Sequence, residues 1–386
     1  MKRFLLIFQF LSVVIMAMAA NGTGGNGKHV DTDDHVTVGE LTLVPGSTNR
    51  YSLMVSLVGT RRYTAGEMDI EFPAGLDVEM KNGKPNLNIW KGAGTIYPYT
   101  TDEDSGDRSF THSIISSFGV IGKHKLRLSI FSTLNENLTA DSGPLFKLYL
   151  TASPYLKPGE AQLKITQCHL ITADKTVVTQ YDTQDHDETI NITNHESNVP
   201  LLISAGNKYS TCVLPFSTSL PQGLRAFSVA RREKTTLYLE EAESMEAFTP
   251  YILYAENGFS GTLSGTVDES LYQETVQRGV LYGTLVERNM DEGHVLQNKG
   301  DGARFYAING QDFVIPPGKC WVLLDVYNPP TTQALSMEID GTTDIRNVES
   351  LTDSVDAPVY SIDGTRVKNL VPGRIYIKNG RKFMKI

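Results

Sequence analysis

Glu67-Met68-Asp69-Ile70-Glu71-Phe72, followed at once by Pro73-Ala74-Gly75, decides the fold class. Every second residue is apolar, so Met68, Ile70 and Phe72 share one face of an extended chain and the three carboxylates share the other. A helix would scatter both sets around its axis. The spacing predicts a strand with one buried and one water-facing side, stopped by the Pro-Ala-Gly turn. Working outward, Tyr51, Leu53, Val55 and Leu57 form a second such stripe, Leu126, Leu128 and Ile130 a third, and Phe146, Leu148 and Leu150 a fourth. Further strands are expected over 36–43, 109–117, 161–170 and 188–193.

Short half-apolar strands separated by Gly, Pro, Asn and Asp clusters must bury their apolar faces against one another, which gives an all-β sandwich over 35–195. A second β module is expected over 200–340, where Ile203-Ser204-Ala205-Gly206 opens, Cys212-Val213-Leu214-Pro215-Phe216 follows and Lys319-Cys320-Trp321-Val322 closes a run of strand-like segments, as a sandwich or barrel. The stretches 21–34 and 341–356 read as linkers. The last segment, 357–386, holds two strong hairpin signals, Asp363-Gly364 and Asn379-Gly380, in a small β unit.

The chain opens with Met1-Lys2-Arg3, a largely apolar run and the small residues Ala17-Met18-Ala19, the pattern of a signal peptide over 1–20. That predicts export to the outer-membrane surface or the exterior, with no integral membrane span after cleavage. Across 386 residues the chain is 40% hydrophobic and 20% charged, enough for two or three domains. Its formal net charge is -9 and its basic residues are scattered, which argues against a nucleic-acid partner whose phosphates need neutralising. Three cysteines, Cys168, Cys212 and Cys320, exclude a disulfide framework. A bridge between Cys212 and Cys320, at opposite ends of the second module, stays open beside the favoured reading of three buried thiols.

Tyr63-Thr64-Ala65-Gly66-Glu67 and its continuation to Leu76, with the later Ser142-Gly143-Pro144-Leu145-Phe146-Lys147-Leu148, resembles the cohesin-like domains of Bacteroidales secreted proteins. The resemblance covers about 150 residues and implies a jelly-roll sandwich, a fold shared with some carbohydrate-binding modules. It also implies a role in holding dockerins, glycans or adhesion partners. The second module is similar to a β module found near the C-termini of such proteins, with Phe248 standing where the family usually has Asn before Thr-Pro. The segment Pro358-Val359-Tyr360-Ser361 onward looks like the end of a type IX secretion sorting domain.

No catalytic constellation is found: the chain has no Gly-x-Ser-x-Gly elbow, no His-Glu-x-x-His and no phosphate loop before a helix. Trp90, Tyr97 and Tyr99, drawn together by Gly92, Gly94 and Pro98, are the candidate glycan platform, because aromatic faces stack on the CH faces of sugars. Burial in the sandwich core is the competing reading for the same three rings. Asp102, Asp104 and Asp107 offer hard oxygens around Gly106 and are the candidate Ca²⁺ ligands, against a plain solvated loop. No other cofactor is indicated. His29, His35, His186 and His195 read as solvated linker histidines, and His112 as a core imidazole. The partner expected is a glycan or a surface protein; the alternatives are an envelope scaffold that binds no small ligand and, further off, an accessory to a glycoside hydrolase.

Overall fold

A computed structural model describes residues 28–46, 50–174, 177–192, 195–299, 302–308, 313–324, 333–339, 358–361, 365–378 and 381–385. The signal-peptide expectation and the linker at 341–356 lie outside these residues. The described chain is all-β apart from one short 3₁₀ turn, Glu269–Leu271. None of its helices is long and apolar enough to cross a membrane, a statement that leaves strand-built spans untouched.

The first module is a two-sheet sandwich. Its large sheet runs, in spatial order, Lys28–Thr32, Val177–Thr183, Gly159–Asp174, Ala65–Glu71, Lys125–Ser132 and His112–Phe118. His186–Ile192 joins the same sheet by pairing with the first half of Gly159–Asp174. That 16-residue strand changes partner at a bulge between Thr166 and His169, where Gln167 takes a left-handed φ of 51°. The second sheet runs His35–Val38, Tyr51–Val58, Gly143–Ala152 and Leu76–Val78, with Leu87–Ile89 also on Gly143–Ala152. The alternation read from the sequence lands on the inner faces: Met68, Ile70, Phe72, Leu53, Val55, Leu126, Leu128, Phe146 and Leu148 are all buried in one core.

Three local expectations are corrected. The stretch 36–43 is not one strand, because the chain crosses between sheets after His35–Val38 and Thr42–Leu43 then pairs in parallel with His186–Ile192. Lys28–Thr32, inside the stretch read as a linker, is a strand in parallel register with Val177–Thr183. Asp69, expected in water, is 2% exposed, because neighbouring strands flank it on both sides and Arg127 closes over its carboxylate.

The second module is built on a ten-stranded sheet that begins with Tyr209–Cys212 and Tyr251–Tyr254, continues through Arg225–Glu233, Thr236–Ala242, Ala334–Ile339, Gly302–Ala307, His294–Lys299 and Lys319–Val322, and ends with Leu281–Thr284 and Thr275–Arg278. The sheet curls until its first strand meets Lys319–Val322. At that meeting Val213 N donates to Gly318 O at 3.1 Å, Cys320 N donates to Thr211 Oγ1 at 3.0 Å, and the same hydroxyl faces Cys320 O at 3.4 Å. A side chain thus stitches a seam that a backbone ladder closes elsewhere. Phe227, Leu237, Ile252, Phe305, Cys320 and Val322 fill the interior. The ribbon Glu196–Ile203 with Phe259–Thr266 shows strict alternation of exposed and buried residues along its first strand and covers a second core around Phe216, Leu253 and Tyr251.

The two modules are joined by more than the chain. Tyr155, in the loop before Gly159–Asp174, packs among the second module's core residues, and its carbonyl accepts from the Tyr272 hydroxyl at 2.6 Å. Gly318, at a φ of 78°, leaves room for the Tyr155 ring: a Cβ there would sit 1.9 Å from the tyrosine oxygen. Ser197 donates to Pro154 O at 2.5 Å, and Lys123 donates to Glu287 and Asn289. At the C-terminal end, Val359–Ser361, Arg366–Val367, Ile375–Lys378 and Arg381–Met384 make a four-stranded sheet. Lys378 pairs with Arg381, as a two-residue loop requires, although residues 362–364 and 379–380 themselves lie outside the described chain.

Candidate functional site

The outward face of the large sheet carries polar side chains from five adjacent strands. Cross-strand register sets Asp182, His169, Glu67, Ser129 and Ile115 in one row, and Thr166, Asp69, Arg127 and Ser117 in the next. At the usual strand spacing the longer row spans roughly 19 Å. Arg127 holds Asp69 with both arms, Nε to Oδ1 at 2.7 Å and Nη2 to Oδ2 at 2.8 Å. The bond to Asp69 raises the guanidinium pKa against the opposing pull of burial. Lys125 faces Glu71 at 3.5 Å and Ser129 donates to Glu67 at 3.4 Å.

Further along the face Asp182 gathers three partners. His169 Nδ1 lies 2.7 Å from its Oδ1, Gln180 Nε2 donates to the same oxygen at 2.7 Å, and His29 Nδ1 lies 3.2 Å from Oδ2. Burial pushes the Asp182 carboxyl up, but the bonds from Gln180, His169 and His29 outweigh it and leave its pKa lowered. His29 therefore tethers the first strand to the sheet. His186 is also built in, its Nε2 2.7 Å from Val36 O and its ring edge-on to His35 at 5.7 Å. The linker reading of His29, His35 and His186 is corrected: adjacency in sequence says nothing about Asp182, which reaches both His29 and His169 only through strand pairing. His169 lies between buried Cys168 and Leu170, but Asp182 carried no such signal, because residues 178–183 are all half-buried with no alternation.

The glycan platform does not form as a trio. Tyr97 is 1% exposed, packed at 5.1 Å against His112, and burial drives its pKa up. Trp90 is half-buried, its indole nitrogen donates to Ala93 O at 2.9 Å, and its ring folds over Gly92, where a Cβ would lie 2.4 Å away. Only Tyr99 is exposed, at 40%. It belongs to a hairpin, Tyr99–Thr101 with Arg108–Phe110, and forms a layered stack: Arg108 lies over Tyr99 at 4.6 Å, Tyr99 on Phe110 at 5.3 Å, and Lys91 over Phe110 at 5.1 Å. Phe110 and the two cations were not singled out by sequence, because the hairpin brings Phe110 and Arg108 beside Tyr99 and Lys91 reaches Phe110 from the segment before it.

Asp102, Asp104 and Asp107 do not converge on a common point. Asp102 Oδ1 accepts from Asp104 N at 3.0 Å, Ser105 N at 2.8 Å and Ser105 Oγ at 3.0 Å, so its carboxylate closes the hairpin's own turn. Those bonds lower its pKa. Cys212 and Cys320 are buried free thiols, both raised in pKa by burial, Cys212 to about 12. Cys168 is likewise free and buried, pushed up to about 11. His112 is 3% exposed, with Nδ1 3.0 Å from the Thr111 hydroxyl, and burial lowers its pKa to about 4.

No protein-family model and no curated protein matches the chain. Among solved structures, the chain is similar to the seventh ScaB type I cohesin of Pseudobacteroides cellulosolvens, with 8% identity, 43% of this chain and 93% of that one covered, and a TM-score of 0.30. It is also similar to a type I cohesin–dockerin complex from Clostridium thermocellum, with 12% identity, 44% and 98% covered, and a TM-score of 0.28. A non-cellulosomal cohesin from Archaeoglobus fulgidus aligns at 10% identity over 40% and 90%, with a TM-score of 0.25. These scores are too low to carry an inference about function or partner.

Proposed function

We propose that the chain is an exported, non-catalytic binding or adhesion protein of a bacterial surface, whose first sandwich holds a protein partner against the outer face of its large sheet. The observation behind this reading is the ordered polar face itself: five strands present two rows of side chains whose charges are already fixed by one another, Asp69 with Arg127 and Asp182 with His169 and His29. Groups held in place before contact lose little conformational freedom on binding, and a flat patterned face suits another protein better than a small molecule. A glycan is the second reading, favoured by exposed Tyr99 on Phe110 between Arg108 and Lys91. A sugar ring laid on Tyr99 would take the place of the Arg108 guanidinium that lies over it.

The test uses the chain without residues 1–20, screened against polysaccharides and envelope proteins with and without calcium. Lys164→Glu, at the exposed position paired with Glu71 on the same face, together with Ser117→Arg alters the outer face, and Tyr99→Ala alters the hairpin. Capture of a defined protein that only the face variant loses supports the protein reading. Binding of a polysaccharide that only Tyr99→Ala loses supports the glycan reading instead, and no loss by either variant overturns both.

A further inference from the structure

The seam of the second module opens a pocket of about 170 Å³ lined by Asn207, Tyr209, Ser210, Leu296, Asn298 and Lys319, with Thr211 and Ala303 completing its wall. It lies where Tyr209–Cys212 and Lys319–Val322 meet without a continuous ladder, the kind of barrel mouth in which ligands settle. Lys319 is half-buried there. Its ammonium donates to Ser210 Oγ at 2.9 Å and to Thr211 O at 3.3 Å, both neutral acceptors. None of the ion pairs among the described residues involves it, whereas nearby Lys208 is matched by Glu256 and Arg225 by Glu241.

A lysine ammonium has three donors, so one remains for a further acceptor. A half-buried cation with no counter-charge is costly, and an anion entering the pocket relieves that cost. The rest of the lining fixes the anion's character. Asn298 Nδ2 donates to Gly206 O at 2.9 Å and to Asn207 Oδ1 at 3.1 Å, and Ser210 Oγ donates to Thr211 O at 3.4 Å, so the two amide oxygens and the Ser210 oxygen each keep an acceptor position for a ligand hydroxyl. Leu296, Ala303 and the Tyr209 ring form an apolar side suited to CH groups. A single cation matches a monoanion better than a phosphate dianion. The volume is below the roughly 300 Å³ at which sites for drug-sized ligands begin, which limits the ligand to about one ring.

We infer that this seam pocket binds a single sugar carboxylate of the uronic-acid class, its carboxylate on Lys319 and its hydroxyls on Ser210, Asn207 and Asn298. The site belongs to a different module from the face proposed above, so either can fail without the other. The test titrates the chain lacking residues 1–20 with glucuronate, galacturonate, glucose and inorganic phosphate at matched ionic strength, following binding by calorimetry and ligand-observed NMR. A uronate is expected to bind with a Kd of roughly millimolar order, glucose and phosphate at least about tenfold more weakly. Lys319→Gln removes one charged hydrogen bond and is expected to weaken uronate binding about tenfold or more. Asn298→Asp, at the exposed rim, places a carboxylate beside the ligand's own and is expected to weaken it as well, which guards against misfolding of the lysine variant. No uronate binding, equal binding of phosphate, or unchanged uronate binding in both variants would overturn the inference.

Discussion

In the first sandwich the outward charges of the large sheet meet one another, Arg127 on Asp69 and two histidines on Asp182, whereas in the second module Lys319 stands at a seam with neutral partners alone. The difference follows from sheet continuity. Where a ladder is unbroken, cross-strand neighbours lie about 5 Å apart and opposite charges on one face can pair off. Where the curled sheet fails to close its ladder, a threonine hydroxyl and a lysine take over, and space is left between the strands. A paired face suits a partner that brings its own surface, and an unpaired cation in a pocket suits a small anion.

The largest effect is expected where the two regions touch. Gly318→Ala forces a left-handed backbone and drives a methyl into the Tyr155 ring, and is expected to cost about 3 kcal/mol in urea unfolding. Adding Tyr155→Ala should return only the steric part, so the double variant lies well short of additive if the loop truly locks the modules together. Full additivity would mean that the Tyr155 ring does not pack against Gly318.

Next in size is the paired face. Asp69→Ala strips the partner from Arg127, whose side chain is 30% exposed while that of Asp69 is 3% exposed. A cost of about 2 kcal/mol is expected, between that of a surface pair and a fully buried one. Asp69→Ala with Arg127→Ala should cost less than the sum of the singles. A cost for Asp69→Ala within error of zero would show that the face is not fixed in advance, and the contrast with the seam would lose its basis.

A further effect, carried by one buried imidazole of the first sandwich, is read from pH. His112 has its pKa lowered from 6.5 to about 4 by burial, so the unfolded chain binds a proton that the folded chain refuses between those values. Its contribution is therefore intact above pH 6.5 and lost as pH falls toward 4, on the order of 3 kcal/mol at about 1.4 kcal/mol per pKa unit. Since many carboxylates titrate in the same range, the measurement is the difference between the native chain and His112→Gln, followed by urea unfolding at pH 7 and at pH 4.5. The gap should narrow as the pH falls; a constant gap would place the imidazole in water and not in the core.

The sequence by itself determined the strand-rich class and the inner face of each main strand, because a two-residue period is a local property and burial follows it. Met68, Ile70 and Phe72 against Glu67, Asp69 and Glu71 could be read without a neighbour in view. The face a residue takes is local, but its surroundings are not. Asp69 is dry because Arg127 lies one strand away, Tyr97 is core while Tyr99 two residues on is exposed because a hairpin turns between sheets, and Asp182 joins His29 and His169 across three strands. Sheet order and the point at which the second module fails to close its ladder were likewise settled by long-range pairing, and that closure alone placed Lys319 beside Ser210 and Thr211, more than a hundred residues away in the chain.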